Sequence, residues 1–148
     1  MVDIEFCSIS KTELPLTFEV FKAAMKPVIE EALGWDEAFQ QHYFTSRLQP
    51  SWFYWVVFQG ERVGLVCYKH TEQSVHLHLL AVFESWQRQG LGVTITNQLQ
   101  QEAQRAGKPL TLSCFKNNAP AVALYRKLGF AVASQDAHFF DFIRHVGE

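Results

Sequence analysis

Six residues, Gln87-Arg88-Gln89-Gly90-Leu91-Gly92, have the types and the spacing to cradle a phosphate. Glycine at 90 and 92 carries no Cβ to hold a ligand off the backbone, and it lets a turn reach conformations that other residues avoid. The apolar run Val75 to Phe83 leads into this stretch, and a helical pattern begins at about Val93. The unpaired N–H groups and the positive dipole end of such a helix point back at the turn, which suits a pyrophosphate. Two other nucleotide-binding loops fit badly. A P-loop needs Lys and then Ser or Thr after its last Gly, whereas Val93, Thr94 and Ile95 follow Gly92. A dinucleotide fingerprint needs a third small residue at position 95, and Ile95 is bulky. An ordinary strand-to-helix turn is the competing reading of the Gly-x-Gly alone.

Just before the cradle stand His76 and His78, which strand alternation places on one face with Leu80 and Val82. An imidazole of near-neutral pKa can take a proton from an amine or relay it through water. Two partly exposed strand histidines would look the same in sequence. A metal site would need a third ligand at a position that nothing marks, so none is expected.

Among the elements that would carry these groups, Pro109 to Phe115 is strand-like, and Asn117-Asn118-Ala119-Pro120-Ala121-Val122-Ala123-Leu124-Tyr125-Arg126-Lys127-Leu128-Gly129-Phe130 follows it. Asn118 suits an N-cap, Pro120 suits a first helical turn, and Gly129 can end the helix in a left-handed conformation. Near the start, Ile4 to Ile9 alternates like a strand. Phe18, Phe21, Met25, Val28 and Ile29 recur at helical spacing, with Pro27 expected to kink that helix. Asp36 can cap a second helix in which Phe39, Tyr43 and Phe44 share a face. Trp52 to Phe58 and Val63 to Lys69, joined through Gly60-Glu61, read as a hairpin. Phe130 to Ser134 and His138 to Ile143 read as two closing strands. Periodicity by itself predicts a mixed α and β domain.

The order strand, cradle, helix, strand, Asn, Tyr-bearing helix and Gly-Phe resembles the GNAT superfamily of N-acetyltransferases. Two motifs carry the resemblance, Gln87-x-x-Gly90-x-Gly92 and Asn118-x-x-Ala121-x-x-Leu124-Tyr125-x-x-x-Gly129-Phe130, and the match spans about Val75 to Phe130. One departure is Phe83, ahead of Glu84-Ser85-Trp86, where many members have Pro. The resemblance implies an α+β, mixed α/β fold: one twisted mixed sheet of about seven strands with helices on both faces, formed by residues 1–148 as a single domain. It also implies acetyl-CoA as co-substrate. The pyrophosphate would lie on the main chain of Gln87, Arg88, Gln89, Gly90, Leu91, Gly92 and Val93. The pantetheine arm would pair along Leu80, Ala81 and Val82, with Asn117 and Ala121 nearby, and a backbone N–H near Leu80 would face the oxyanion.

Acetyl transfer to an amine needs a base, because an amine such as Lys is protonated at neutral pH. It also needs a donor for the departing thiolate. The resemblance places the Tyr125 phenol at that sulfur, and a core aromatic in step with Val122 and Leu128 is the other reading of the same residue. Counted back from Gln87 without a gap, His76 falls where histone-type members place a glutamate base; His78 and Glu72 are alternatives. Asn117 fits either a pantetheine contact or local turn chemistry. Phe21, Met25, Trp35, Tyr54 and His138 could line an acceptor pocket or simply pack a core.

Composition narrows the classes. A 148-residue chain that is 48% hydrophobic can bury a core. A net charge of −2 without a basic run argues against nucleic acid. The start Met1-Val2-Asp3-Ile4-Glu5 has no charged n-region or apolar h-region, and no run of about 18 apolar residues occurs, so membrane insertion is not expected. Cys7, Cys67 and Cys114 are odd in number and far apart, against a disulfide framework or a cysteine zinc site and in favour of a reducing cytoplasm. The expectation is an acetyl-CoA-dependent N-acetyltransferase acting on a small-molecule or peptide amine, with room for a homodimer. A non-catalytic acyl-CoA-binding module is the alternative; a nicotinamide-binding oxidoreductase fails on Ile95 and on the lack of a second strand-helix-strand half.

Overall fold

The computed structural model describes residues 3–147; Met1 and Val2, the first two residues of the start considered above, and Glu148 lie outside the described residues. Among the described residues there are four α-helices and one seven-stranded sheet of order β1-β2-β3-β4-β5-β7-β6. The strands are β1 (Ile4–Ser8), β2 (Phe53–Phe58), β3 (Glu61–His70), β4 (Val75–Val82), β5 (Leu110–Phe115), β6 (Ala131–Gln135) and β7 (Phe139–Arg144). The helices are α1 (Leu14–Leu33), α2 (Glu37–Arg47), α3 (Leu91–Arg105) and α4 (Ala119–Lys127). The sheet is mixed, because β4 and β5 are parallel while β1-β2, β2-β3, β5-β7 and β6-β7 are antiparallel. No helix among the described residues is long and apolar enough to cross a membrane.

The chain forms two compact units, and β3 and β4 each contribute to both: residues 3–67 with Leu79–Phe83 make one, and 68–78 with 84–147 make the other. In the first, β2 and β3 are a hairpin whose turn is Gln59-Gly60. Both residues have positive φ, 53° and 79°, as a two-residue turn matched to strand twist requires. Phe18 and Phe44 from α1 and α2 join Phe53, Trp55, Leu65, Cys67, Leu79 and Ala81 in one buried cluster, with Phe18 and Phe44 edge to face at 5.5 Å. The Asp36 carboxylate caps α2 by accepting from the Phe39 N–H at 3.0 Å. Pro27 lies within α1, which is continuous from Leu14 to Leu33. Gly64 has a purpose that its strand pattern does not reveal: a Cβ there would meet the Ala81 carbonyl oxygen at 2.3 Å. Only glycine lets β3 come that close to the end of β4.

In the second unit, Leu91, Ile95, Leu99 and Ala103 recur every fourth residue as the buried stripe of α3, with Thr96 and Gln100 buried beside them. β5 alternates buried Leu110, Leu112 and Cys114 with Thr111, Ser113 and Phe115 on its other face. Its register with β7 carries that alternation across, pairing Ser113 with Asp141 and Leu112 with Phe142.

Candidate functional site

The cradle turns on Gly90. Its φ of 80° is left-handed, and it is the N-cap of α3, so the helix starts at Leu91, two residues earlier than periodicity suggests. The reason is that Leu91 is itself buried and anchors the first turn. Arg88 also has positive φ, 62°, an uncommon state for a residue with a side chain. Gly92, by contrast, is helical, and a Cβ there would meet Leu124 Cδ2 of α4 at 3.4 Å, an ordinary van der Waals contact. The Thr94 N–H already donates to the Gly90 carbonyl. By helix geometry the N–H groups of Leu91, Gly92 and Val93 precede the first intrahelical donor, and they are the ones a ligand's anionic oxygens could take. Gln87, Arg88, Gln89 and Gly90 are exposed.

Tyr125 is positioned by the way α4 ends. Gly129, at φ 89°, donates its N–H to the Arg126 carbonyl, and Phe130 donates to the Tyr125 carbonyl at 3.0 Å, the two bonds of a Schellman motif. The Tyr125 and Phe130 rings then meet at 5.4 Å, and Tyr125 also lies 6.0 Å from Phe142. The motif spacing Tyr-x-x-x-Gly-Phe is therefore a helix stop with its apolar contact. The ring takes the core role, and the hydroxyl is what remains for chemistry. Burial raises the Tyr125 phenol pKa, and the neighbouring Cys114 adds to it. Burial also pushes the Cys114 thiol up to about 11. Both groups are protonated at neutral pH. Asn118 is the N-cap of α4 but its side chain makes no capping bond, and Pro120 is in the first turn as expected. Ala121 is half-buried on the same helix and Asn117 exposed ahead of it.

On β4 the buried residues are Val75, Leu77, Leu79 and Ala81, alternating with His76, His78, Leu80 and Val82. The His76 and His78 rings stand edge to face at 4.7 Å. Desolvation lowers both pKa values, reinforced by Lys69; for exposed His78 the neighbouring His76 adds to it and the value falls to about 4. Both rings are neutral at pH 7. Asp141 opposes the lowering at His76. Asp141 itself is held ionised by bonds from Ser113 and Ser134, each 2.6 Å. The parallel register of β4 with β5 covers Val75, His76 and Leu77 against Leu110, Thr111 and Leu112, and the strands then run on to Val82 and Phe115. Phe21, Met25 and Trp35 pack against the core of the first unit, Tyr54 meets Phe6 at 6.3 Å, and His138 is exposed. Thr111, Cys114 and Asp141 join the site's chemistry without a sequence signal, since strand register brings Thr111 and Asp141 there and the packing of α4 on β5 brings Cys114 to Tyr125. No group of three or more His, Cys, Asp or Glu that could hold a metal occurs among the described residues.

A family model described as the acetyltransferase (GNAT) family matches residues 16–130. The chain belongs to that family. The fold is likewise that of several solved acetyltransferases. The PaiA N-acetyltransferase from Thermoplasma acidophilum, in complex with coenzyme A, is 16% identical with a TM-score of 0.74, over 97% of this chain and 99% of that one. An acetyltransferase from Thermus thermophilus is 19% identical with a TM-score of 0.71, over 97% and 99%. The ribosomal-protein-S18-alanine N-acetyltransferase from Escherichia coli is 24% identical with a TM-score of 0.63, over 95% and 91%. A sequence comparison with curated proteins found no match.

Proposed function

We propose that this chain is an acetyl-CoA-dependent N-acetyltransferase that moves an acetyl group to a primary amine of a small molecule or peptide by direct attack. The observation that carries the reading is the pairing of two features in one unit: a left-handed glycine at the N-terminus of a 15-residue helix, and a buried, protonated phenol on the helix that packs against it through Gly92 and Leu124. The family match runs through both units, which supports reading residues 1–148 as one acetyltransferase domain. The bound coenzyme A of the Thermoplasma relative supports the choice of co-substrate.

The residues fit that substrate. Main-chain N–H groups of Leu91, Gly92 and Val93 would take the pyrophosphate, with Gln87, Arg88 and Gln89 around it. Leu80, Ala81 and Val82 would meet the pantetheine arm, and Asn117 and Ala121 its amides. His76, with His78 as the second choice, takes a proton from the acceptor's ammonium. The amine nitrogen then bonds to the acetyl carbonyl carbon, the carbon–sulfur bond breaks, the Tyr125 hydroxyl gives the departing thiolate its proton, and the second proton shed by the nitrogen passes by way of water to restore the phenol. The raised pKa keeps the phenol protonated at neutral pH and so available to donate at the sulfur, as a weaker acid than a free phenol.

A thiol-release assay with acetyl-CoA over polyamines, aminoglycosides, amino acids and peptides tests the reading. Release that depends on one of these amines supports it. Coenzyme A binding without amine-dependent release would favour a non-catalytic acyl-CoA-binding module instead.

A further inference from the structure

We propose that Thr111 is a positioning residue that holds His76 as the Nδ1–H tautomer and so leaves Nε2 as the proton-accepting atom. This rests on the assignment of His76 as base made above. The register sets Thr111 beside His76 on adjacent parallel strands, and the Thr111 hydroxyl oxygen lies 2.8 Å from His76 Nδ1. A hydroxyl has one hydrogen to give. That of Thr111 is directed at Ser74 Oγ, 3.3 Å away, with the Val75 carbonyl at 3.5 Å. The hydroxyls of Ser74 and Thr71 are 3.2 Å apart, and the Thr71 hydroxyl donates to the Ser74 carbonyl at 3.1 Å. Each group can then donate once, in one direction: His76 Nδ1–H to Thr111, Thr111 to Ser74, Ser74 to Thr71, and Thr71 to a carbonyl. The Thr71 oxygen is further fixed by the N–H groups of Gln73 and Ser74.

A chain that ends on a backbone carbonyl has a polarity, because its last acceptor has no proton to return. With the Thr111 hydrogen given to Ser74, the Thr111 oxygen can only accept at His76, which calls for an N–H at Nδ1. Once Nε2 takes a proton, the same chain solvates the cation through Nδ1, and Asp141 on β7 stabilises it further. Lys69 on β3 opposes that charge, and His78 on β4, the other titratable group beside it, is neutral. Thr111 therefore acts on both the tautomer and the basicity of His76.

The test uses the intact protein and two substitutions, Thr111→Val, which keeps the shape and removes the hydroxyl, and Thr111→Ser, which restores it. Histidine ¹⁵N NMR should show His76 as the Nδ1–H tautomer in wild type and in Thr111→Ser, and a shift toward Nε2–H in Thr111→Val. With the best amine found, kcat/KM of Thr111→Val should fall at least tenfold, short of the ~10² to 10⁴ expected for loss of a whole base. Its acid limb should move to lower pH, and Thr111→Ser should recover both. A wild-type Nε2–H tautomer would overturn the proposal, as would a Thr111→Val enzyme with unchanged tautomer, rate and pH profile. His76→Gln separates the underlying assignment: wild-type kcat/KM in that variant removes His76 as base and the catalytic half of the proposal with it, while the NMR spectrum still decides the tautomer.

Discussion

Replacing Tyr125 by Phe separates the two roles that this residue combines. The ring's contacts with Phe130 at 5.4 Å and Phe142 at 6.0 Å survive the change, so the core is kept. The stability change should stay near the ~1 kcal/mol of one polar group, a Tm shift of about 3 °C. Truncation to Ala would instead cost about 3–5 kcal/mol. The rate should behave differently. A positioned acid is worth about 10² to 10⁴, or roughly 2.7 to 5.4 kcal/mol of barrier, so kcat should drop by that factor while KM for acetyl-CoA changes little. Alkaline unfolding supplies an independent check. Tyr125 has its pKa raised above the ordinary 10.0, so its contribution to stability is whole below pH 10.0 and is lost as pH rises above it. Cys114, raised from 9.0 to about 11, loses its share over that interval. Tyr125→Phe should remove the phenol's part of the alkaline loss and leave that of Cys114. Steady-state kinetics by thiol release, beside thermal melts from neutral to alkaline pH, measure all of this. A folded Tyr125→Phe enzyme with kcat within about threefold of wild type would refute the acid role, since a positioned acid is worth at least ~10².

Gly90→Ala has open space for its methyl group and a forbidding φ of 80°, so it should cost about 1–2 kcal/mol of strain and raise the coenzyme A dissociation constant about tenfold. Calorimetric titration beside a melt checks this, and unchanged affinity would remove the cradle assignment. Gly64→Ala forces a Cβ onto the Ala81 carbonyl, which should destabilise the fold by about 1–3 kcal/mol and raise KM for acetyl-CoA if Leu80 to Val82 meet pantetheine. A melt and a KM both equal to wild type would contradict the close approach. The depressed histidines give an acid prediction: their contribution is intact above pH 6.5 and lost as pH falls from there toward about 4, the value for His78. A His76→Gln, His78→Gln double variant should flatten that part of a stability-against-pH curve, and a curve parallel to wild type would contradict the shifts.

The parts of the site that were legible in the sequence are those whose physics is local. Gly129-Phe130 after Tyr125 announces a helix stop because the left-handed residue and its apolar partner are neighbours in the chain. Gly90 was legible as a turn for the same reason, although the burial of Leu91, a tertiary matter, decides where α3 begins. Asp36 capped its helix as its type suggests, whereas Asn118 took the N-cap position without using its side chain. What could not be read is set by register and close approach between distant segments. Thr111 beside His76 and Asp141 beside Ser113 follow from how β4, β5 and β7 align, Cys114 near Tyr125 follows from the docking of α4 on β5, and Gly64 answers to a carbonyl 17 positions away. Gln100 is another such case, a buried amide in the α3 stripe with no hydrogen-bond partner.

Mass analysis of the acceptor after incubation is the decisive test for acetyl transfer from acetyl-CoA to an amine. The account predicts one acetyl group on a primary amine, in amounts that match the coenzyme A thiol released and that fall together in Tyr125→Phe. Acetyl-CoA binding with every amine in the panel left unmodified, and with thiol release no greater than in the absence of protein, would contradict it.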